Sequence, residues 1–171
     1  MIFTVFADAN SSGRVVWPGH EARAALGRGG ILPAVDKREG DGASPLGVWP
    51  LRRALYRPDK GSPPITALPV EAIHREDGWC DAPGDARYNR PVALPYPASA
   101  ERMWREDGLY DLVVVLGHND DPVMPGMGSA IFLHLAQPDY APTEGCVALA
   151  RADLEALLAV AKPGDALEIR G

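Results

Sequence analysis

The residues best suited to covalent chemistry are a histidine and a cysteine within Ser129–Leu149, SAIFLHLAQPDYAPTEGCVAL, of this 171-residue chain. His134 lies near the end of one apolar run, and Cys146 follows Gly145 at the start of another. A thiol attacks as its thiolate, so a nucleophilic cysteine needs a nearby base and a reachable position. A strand end and a turn preceded by glycine predict that exposure. The pattern therefore indicates that Cys146 is a nucleophile and that His134 is its base.

The backbone around Cys146 is a candidate for binding an oxyanion. Gly145 has no Cβ, so a substrate could approach the chain closely there, and the amides of Gly145 and Cys146 could donate to a tetrahedral intermediate. A plainer interpretation stays open on residue types alone, namely a packed structural cysteine and a histidine with satisfied hydrogen bonds. The spacing of one histidine and one cysteine does not separate the two interpretations.

The elements that must position these residues are predicted to be short strands, with one long helix and one short helix. Helical spacing of apolar residues predicts the long helix over about Ala152–Ala161, and Ser99 is a candidate N-cap for a short helix over Ala100–Arg105. Trp79–Arg90 is predicted to be an ordered loop, and an Asn-Ser-Ser-Gly turn from Asn10 to join the first two strands. The predicted strands are Ile2–Ala7, Arg14–Trp17, Leu51–Tyr56, Asp111–Leu116, Ser129–Leu135 and Ala166–Ile169.

Length and composition restrict the class of protein. A length of 171 residues predicts a single domain over 1–171, and the 46% of hydrophobic residues suffice for a core. The formal net charge of −6 argues against a protein that binds duplex nucleic acid, which needs a basic surface. Two cysteines, Cys80 and Cys146, could form one pair at most, so the chain is not a disulfide-stapled scaffold.

The N-terminal sequence MIFTVFADANSSGR lacks the basic region and long apolar core of a secretory signal. No stretch is long and apolar enough to predict a membrane span. We therefore expect a cytoplasmic protein, although a chain whose leader had been removed would look the same and would be periplasmic.

The histidine–cysteine segment resembles the active-site motif of the L,D-transpeptidase catalytic domain (YkuD-type) family. That motif is a histidine at a strand end, a variable loop, and then [Ser/Thr]-x-Gly-Cys-[Val/Ile]. It is matched here by His134, Thr143, Gly145, Cys146 and Val147.

The resemblance extends beyond the motif, from about residue 37 to the end of the chain. The Asp-Leu pair Asp153 and Leu154 matches the helix after the motif, and Lys37–Trp49 resembles a Gly-rich segment of the family. Two positions depart from the pattern. Ala148 stands where the family usually has arginine, with Arg151 three residues on, and Leu135 stands where glycine commonly follows the histidine.

The resemblance implies a mostly-β, sandwich-like catalytic fold with one or two flanking helices, and a peptidoglycan stem peptide or muropeptide as substrate. It implies that Cys146 attacks the carbonyl of the third stem residue, and that a backbone oxygen of about Leu135 or Ala136 holds the histidine tautomer. Neither cofactor nor metal is expected. Hydrolysis of the acyl-enzyme would make the protein an L,D-carboxypeptidase, which the expected cytoplasmic location favours. Transfer to an amine would make it a cross-linking L,D-transpeptidase.

Several other residues are candidates for binding the substrate. His118 follows an apolar strand and is a candidate to face the same cleft, or alternatively to bond to Asp120 or Asp121. Cys80 is interpreted as a packed thiol. Candidates for the substrate's carboxylates or its orientation are Lys37, Arg38, Arg90, Thr143 and Arg151.

Two rival functions remain open on the sequence alone. One is a metal site built from His118, Asp120, His134 and Cys146, whose spacings match no short zinc signature. The other is a non-catalytic protein that binds wall peptides and retains the fold. The oligomeric state is not predicted.

Overall fold

The computed structural model describes residues 1–8 and 11–171 and confirms a mostly-β fold. Strands account for 39% of the chain and helix for 6%, so the described chain has one flanking helix. The turn predicted from Asn10 falls partly outside the described residues. No helix of the described part is long and apolar enough to cross a membrane.

Thirteen strands and one helix follow one another along the described residues. The strands are β1 Ile2–Ala7, β2 Ser12–Trp17, β3 His20–Ala25, β4 Ile31–Pro33, β5 Ser44–Tyr56, β6 Val70–Ala72, β7 Asp77–Cys80, β8 Pro91–Ala93, β9 Ala100–Arg102, β10 Leu112–Leu116, β11 Phe132–Leu135, β12 Val147–Leu149 and β13 Ala166–Arg170. The helix is α1 Arg151–Val160, which confirms the long predicted helix to within one residue at each end.

Eight of the strands form a sheet that closes on itself, in the order β10-β11-β12-β3-β2-β1-β13-β5. The 13-residue strand β5 closes it, because Gly47–Pro50 pair with β13 while Leu51–Tyr56 pair with β10. Strands β4 and β6 attach to β5, and β8-β7-β9 form a separate small sheet.

Strand β10 is buried on both faces, which explains its uninterrupted apolar sequence. Leu112, Val114 and Leu116 belong to the main core, together with the α1 side chains Leu154, Leu157 and Leu158. Val113 and Val115 point the other way into a second core, which includes Trp79 of the small sheet. The small sheet therefore packs against the outside of the closed sheet at this wall.

The same period-two alternation orients His134. In β11, Leu133 and Leu135 pack in the main core, and Phe132 packs in the second core. Since alternate residues of a strand share a face, His134 lies on the outer face with Phe132, towards the small sheet. The histidine is thereby placed at the join between the two sheets.

Three sequence predictions need correction. The prediction of a short helix over Ala100–Arg105 is wrong, because Ala100–Arg102 form β9 and pair with β7. A helix of so few residues is marginally stable by itself, and the hydrogen bonds and side-chain packing of the β-ladder outweigh it. The predicted loop Trp79–Arg90 begins with the last two residues of β7. The strand predicted from Ser129 begins only at Phe132, because Ala130 has a left-handed φ of 52° that interrupts extended structure.

Candidate active site

A tight turn after Thr143 presents Cys146 at the start of β12. The Thr143 hydroxyl donates to the Cys146 carbonyl oxygen at 2.7 Å and accepts the Gly145 amide at 3.1 Å. Gly145 has a φ of +130°, and a Cβ added there would lie 2.8 Å from the Ala43 carbonyl oxygen. This position therefore requires glycine for both its conformation and its space. Thr143, a candidate substrate ligand, uses its hydroxyl inside the turn while also lining the cavity described below.

We expect Gly145→Ala to destabilise the protein and to lower turnover. The Cβ would force the Cys146 turn away from Ala43, and such overpacking costs about 1–3 kcal/mol beyond the strain of the positive φ. Gly164→Ala is the matched control, because Gly164 has a φ of +92° and nothing within 4 Å of an added Cβ. Chemical denaturation would measure both. Equal losses of unfolding free energy in the two variants would contradict the close packing of this turn.

The Cys146 sulfur is enclosed rather than exposed. Its side chain is 6% accessible; the thiol donates to the Ala130 carbonyl oxygen at 3.2 Å, and the Phe132 amide donates to the sulfur at 3.3 Å. Burial raises the pKa of the Cys146 thiol to about 12. The expectation of an exposed thiol is therefore wrong, because the Gly145 turn directs the side chain inward against the segment leading into β11.

The predicted oxyanion hole is partly occupied by the turn itself. The Gly145 amide donates to Thr143, so it would have to exchange that partner before it could donate to a substrate oxygen. Of the two predicted donors, the Gly145 amide is therefore the one already engaged in the turn.

His134 lies on the strand next to Cys146. Strands β11 and β12 run parallel, with His134 opposite Ala148 and Leu133 opposite Val147. Cys146 directly precedes β12, so it lies beside β11, two residues before the position opposite His134. The His134 Nδ1 is 2.9 Å from the Leu135 carbonyl oxygen, as the resemblance implied. A carbonyl only accepts, so Nδ1 carries the proton and Nε2 keeps the lone pair.

The protonation of His134 follows from its surroundings. The ring is 4% exposed and meets the Tyr110 ring edge to face at 5.3 Å between centroids. Burial lowers the pKa of His134 to about 4, an effect that the bond to Leu135 only partly opposes. His134 is therefore neutral at neutral pH, with Nε2 available to accept a proton.

Cys146 and His134 both line a cavity of about 410 Å³, which is large enough for the end of a peptide. Ala148, opposite His134 in register, lines the same cavity in place of the family arginine. The cavity lining also includes the apolar residues Leu109, Ile131, Leu135, Ala141 and Pro142.

Three residues that the sequence did not single out form a hydrogen-bonded polar group in the lining of this cavity: Glu101, Arg105 and Tyr110. The Tyr110 hydroxyl donates to Glu101 Oε1 at 2.7 Å, and Arg105 Nη1 lies 3.3 Å from the same oxygen. Burial raises the pKa of Glu101 and also raises the pKa of Tyr110, the latter well above its usual value. Arg105 thus brings a guanidinium, paired also with Asp107, to a cavity in which position 148 supplies none.

His118, predicted to face the cleft, is buried elsewhere and does not line this cavity. Its Nε2 lies 3.1 Å from the Met127 carbonyl oxygen, and burial lowers its pKa to about 4. Asp120, its suggested partner, bonds to Arg52 at 2.8 Å. The four residues of the metal-site alternative are therefore not brought together, and no group of three or more potential ligands gathers within residues 1–8 and 11–171.

The basic residues predicted to bind the substrate mostly have protein partners. Arg38 is exposed and donates to the carbonyls of residues 35 and 37, outside the cavity. Arg151 lies near Asp111 and Glu155, at 3.5 and 3.6 Å. Lys37 lines the cavity, but its Nζ is buried and bonds to Asp41 at 2.5 Å.

Arg90 and Cys80 also lie away from the cavity lining. Arg90 donates to the carbonyl of residue 120 at 2.6 Å. Cys80 is a fully buried free cysteine at the end of β7, in agreement with its interpretation as a packed thiol.

Comparison with known proteins gives one match. The family model of the L,D-transpeptidase catalytic domain (YkuD) matches residues 4–169, a span that begins well before the segment from residue 37 on which the sequence resemblance rests. No curated protein and no solved structure matches the chain.

Proposed function

Since the chain belongs to the L,D-transpeptidase catalytic domain family, which acts on peptidoglycan peptide stems, we propose that it is a cysteine-dependent L,D-carboxypeptidase. It would remove the terminal D-alanine from tetrapeptide stems of soluble muropeptides, which suits the proposed cytoplasmic location. The observation that carries the proposal is one cavity lined by Cys146 and by a His134 whose tautomer is held by Leu135.

The proposed reaction starts from a neutral pair rather than from a thiolate and an imidazolium. Burial keeps the proton on Cys146 and off His134. As the sulfur attacks the carbonyl of the third stem residue, its proton passes to His134 Nε2 and the carbonyl becomes an oxyanion. The Cys146 amide is the proposed donor to that oxygen. General-base transfer of this kind contributes roughly 10²–10⁴-fold to a rate.

Collapse of the tetrahedral intermediate breaks the bond to the D-alanine nitrogen. His134 returns its proton to that nitrogen, which leaves a thioester on Cys146 and neutral histidine. Water then adds to the thioester while His134 accepts its proton. The second collapse breaks the C–S bond and releases the tripeptide carboxyl, and His134 returns its proton to the sulfur, which restores the thiol.

The size of the cavity is compatible with water as the acceptor. A volume of about 410 Å³ lies near the lower end of the roughly 300–1,000 Å³ typical of ligand sites. The end of one stem peptide would fill most of it, and water needs little further room. A second stem would have to approach Cys146 through the space that the leaving D-alanine vacates. Amine transfer, as in a cross-linking transpeptidase, is the alternative outcome.

The product of a disaccharide-tetrapeptide distinguishes these functions. We expect the protein to release D-alanine and tripeptide, detected by mass spectrometry, and Cys146→Ala to release neither. A cross-linked dimer with little tripeptide would instead establish a transpeptidase. A lack of any product, with tight peptide binding that Cys146→Ala retains, would support the wall-peptide binder.

The low pKa of His134 predicts the acid side of the pH profile. Attack needs neutral His134, and its folded pKa is lowered to about 4, so activity should be lost only as the pH falls through about 4. We therefore expect kcat/KM to be nearly constant from pH 6 to pH 7.5. Measurement of D-alanine release from pH 3.5 to 8 tests this. A half-maximal value near pH 6.5, the ordinary histidine pKa, would contradict the buried neutral base.

A further inference from the structure

A buried asparagine outside the cavity lining connects the loops around the Cys146 sulfur. Asn89 is 4% exposed, and its Oδ1 accepts the Trp79 indole N–H at 2.9 Å and the Ala130 amide at 3.1 Å. Its Nδ2 donates to the carbonyl oxygens of residues 118 and 119, at 3.1 and 2.7 Å. Both donors and both acceptor sites of one amide are thus satisfied within the protein.

Ala130 connects this asparagine to the nucleophile. Its amide is held by Asn89, and its carbonyl oxygen accepts the Cys146 thiol at 3.2 Å. Ala130 has a φ of 52°, in the left-handed region that is disfavoured for a residue with a Cβ. Such a conformation persists when the surrounding structure holds it, and the bond from Asn89 is a contact that does so directly.

We infer that Asn89 is a positioning residue for the reaction: through the Ala130 backbone it holds the carbonyl that orients the Cys146 sulfur in the cavity. The inference rests on the proposed role of Cys146 as the nucleophile. Asn89 itself lies outside the cavity lining and acts through another residue.

The hydrogen bond from the Cys146 thiol to the Ala130 carbonyl oxygen favours the protonated sulfur over the thiolate. A carbonyl oxygen accepts from S–H but repels a thiolate, so it holds the proton on the sulfur and fixes the side chain's orientation. The titratable side chains that line the cavity with Cys146 are His134, Tyr110, Glu101, Lys37, Arg105, Glu39, Asp81 and Glu144. The four hydrogen bonds of the Asn89 side chain go to none of these groups, so we expect a change in the reactivity of the sulfur to report the Ala130 contact.

Asn89→Gly tests the inference, because Asn89 has a φ of 54° that glycine adopts without strain. We expect the Cys146 thiol, released from Ala130, to be alkylated by iodoacetamide about tenfold faster at pH 8, with its alkylation midpoint lowered by about one pH unit. We expect kcat for D-alanine release to fall about tenfold, with little change in KM, because a misplaced sulfur attacks less often. Peptide mass spectrometry separates Cys146 from Cys80.

Asn119→Gly is the matched control. Asn119 has a φ of 49°, and its side-chain hydrogen bonds go to residues 124 and 128 rather than to Ala130. It should cost stability while leaving the alkylation profile of Cys146 unchanged. If Asn89→Gly alone fails to fold, Asn89→Gly/Ala130→Gly removes the strain at residue 130 and is the background for the same measurement.

An alkylation profile for the Asn89 variant that matches wild type and Asn119→Gly would overturn the inference, whatever the stability. Alkylation needs no substrate, so it separates this question from the proposed function. A shifted profile in a protein that hydrolyses no tetrapeptide would retain the role of Asn89 and reject the carboxypeptidase.

Discussion

Cys146→Ala and Cys146→Ser are each expected to lower kcat for D-alanine release by at least about 10⁴-fold, the scale seen when a covalent nucleophile is removed. The thioester needs the sulfur, and a serine hydroxyl in the same place would face a neutral His134 without a thiol's acidity or nucleophilicity. The measurement is D-alanine release under saturating tetrapeptide, beside a thermal melt that checks folding.

Cys80→Ala is the control for this loss. Cys80 is a buried free cysteine like Cys146, but it does not line the cavity. We expect its replacement to lower stability and to leave kcat within a few-fold of wild type. Equal loss of activity in the Cys80 and Cys146 variants would mean that the cysteines act through packing rather than chemistry.

His134→Gln has the second largest expected effect, a fall in kcat of about 10³-fold, within the range for loss of a general base. Glutamine keeps polar atoms beside the Leu135 carbonyl but cannot take up the thiol proton at neutral pH. The acid limb of the pH profile should vanish with the histidine. Steady-state kinetics from pH 3.5 to 8 would show both changes.

His118→Gln is the matched control, because His118 is also buried and also has a pKa lowered to about 4. It bonds to Met127 and does not line the cavity, so its replacement should alter stability more than turnover. A loss at His118 as large as that at His134 would contradict the assignment of the base.

Much of the fold could be predicted from local patterns. The apolar runs in Asp111–Leu116 and Ser129–Leu135 predict strands, and the helical spacing of Leu154, Leu157 and Leu158 predicts α1. These patterns succeed because burial in the two cores follows the periods of the strand and the helix.

The closing strand β5 was only half predicted. Its first part contains Pro45 and Pro50, which signal turns in a sequence, yet both lie in the strand. Pro50 is opposite Ala166 of β13, at the point where β5 passes from one partner strand to another. A proline is tolerated at such a place because the missing N–H interrupts little of either ladder, and no local pattern reveals this.

The candidate site, like the fold, could be predicted from the sequence only in part. Cys146, Gly145 and His134 could be identified because they lie on a short motif. Glu101 and Arg105 could not, because Glu101 reaches the cavity through the pairing of β9 with β7 and Arg105 follows β9, in a segment whose sequence predicts a helix. The enclosure of the sulfur likewise depends on Ala130, and an alanine in the sequence does not predict the left-handed conformation that this residue adopts.

The central claim is that Cys146 becomes acylated by the stem peptide. The most direct measurement mixes the protein with excess disaccharide-tetrapeptide, quenches in acid within the first turnovers, and locates the adduct by peptide mass spectrometry. We predict a thioester on the peptide that contains Cys146, with the mass of the substrate less D-alanine, absent from Cys146→Ala and much reduced in His134→Gln. Release of D-alanine with no adduct on Cys146 at any quench time, or an adduct on Cys80, would contradict the account.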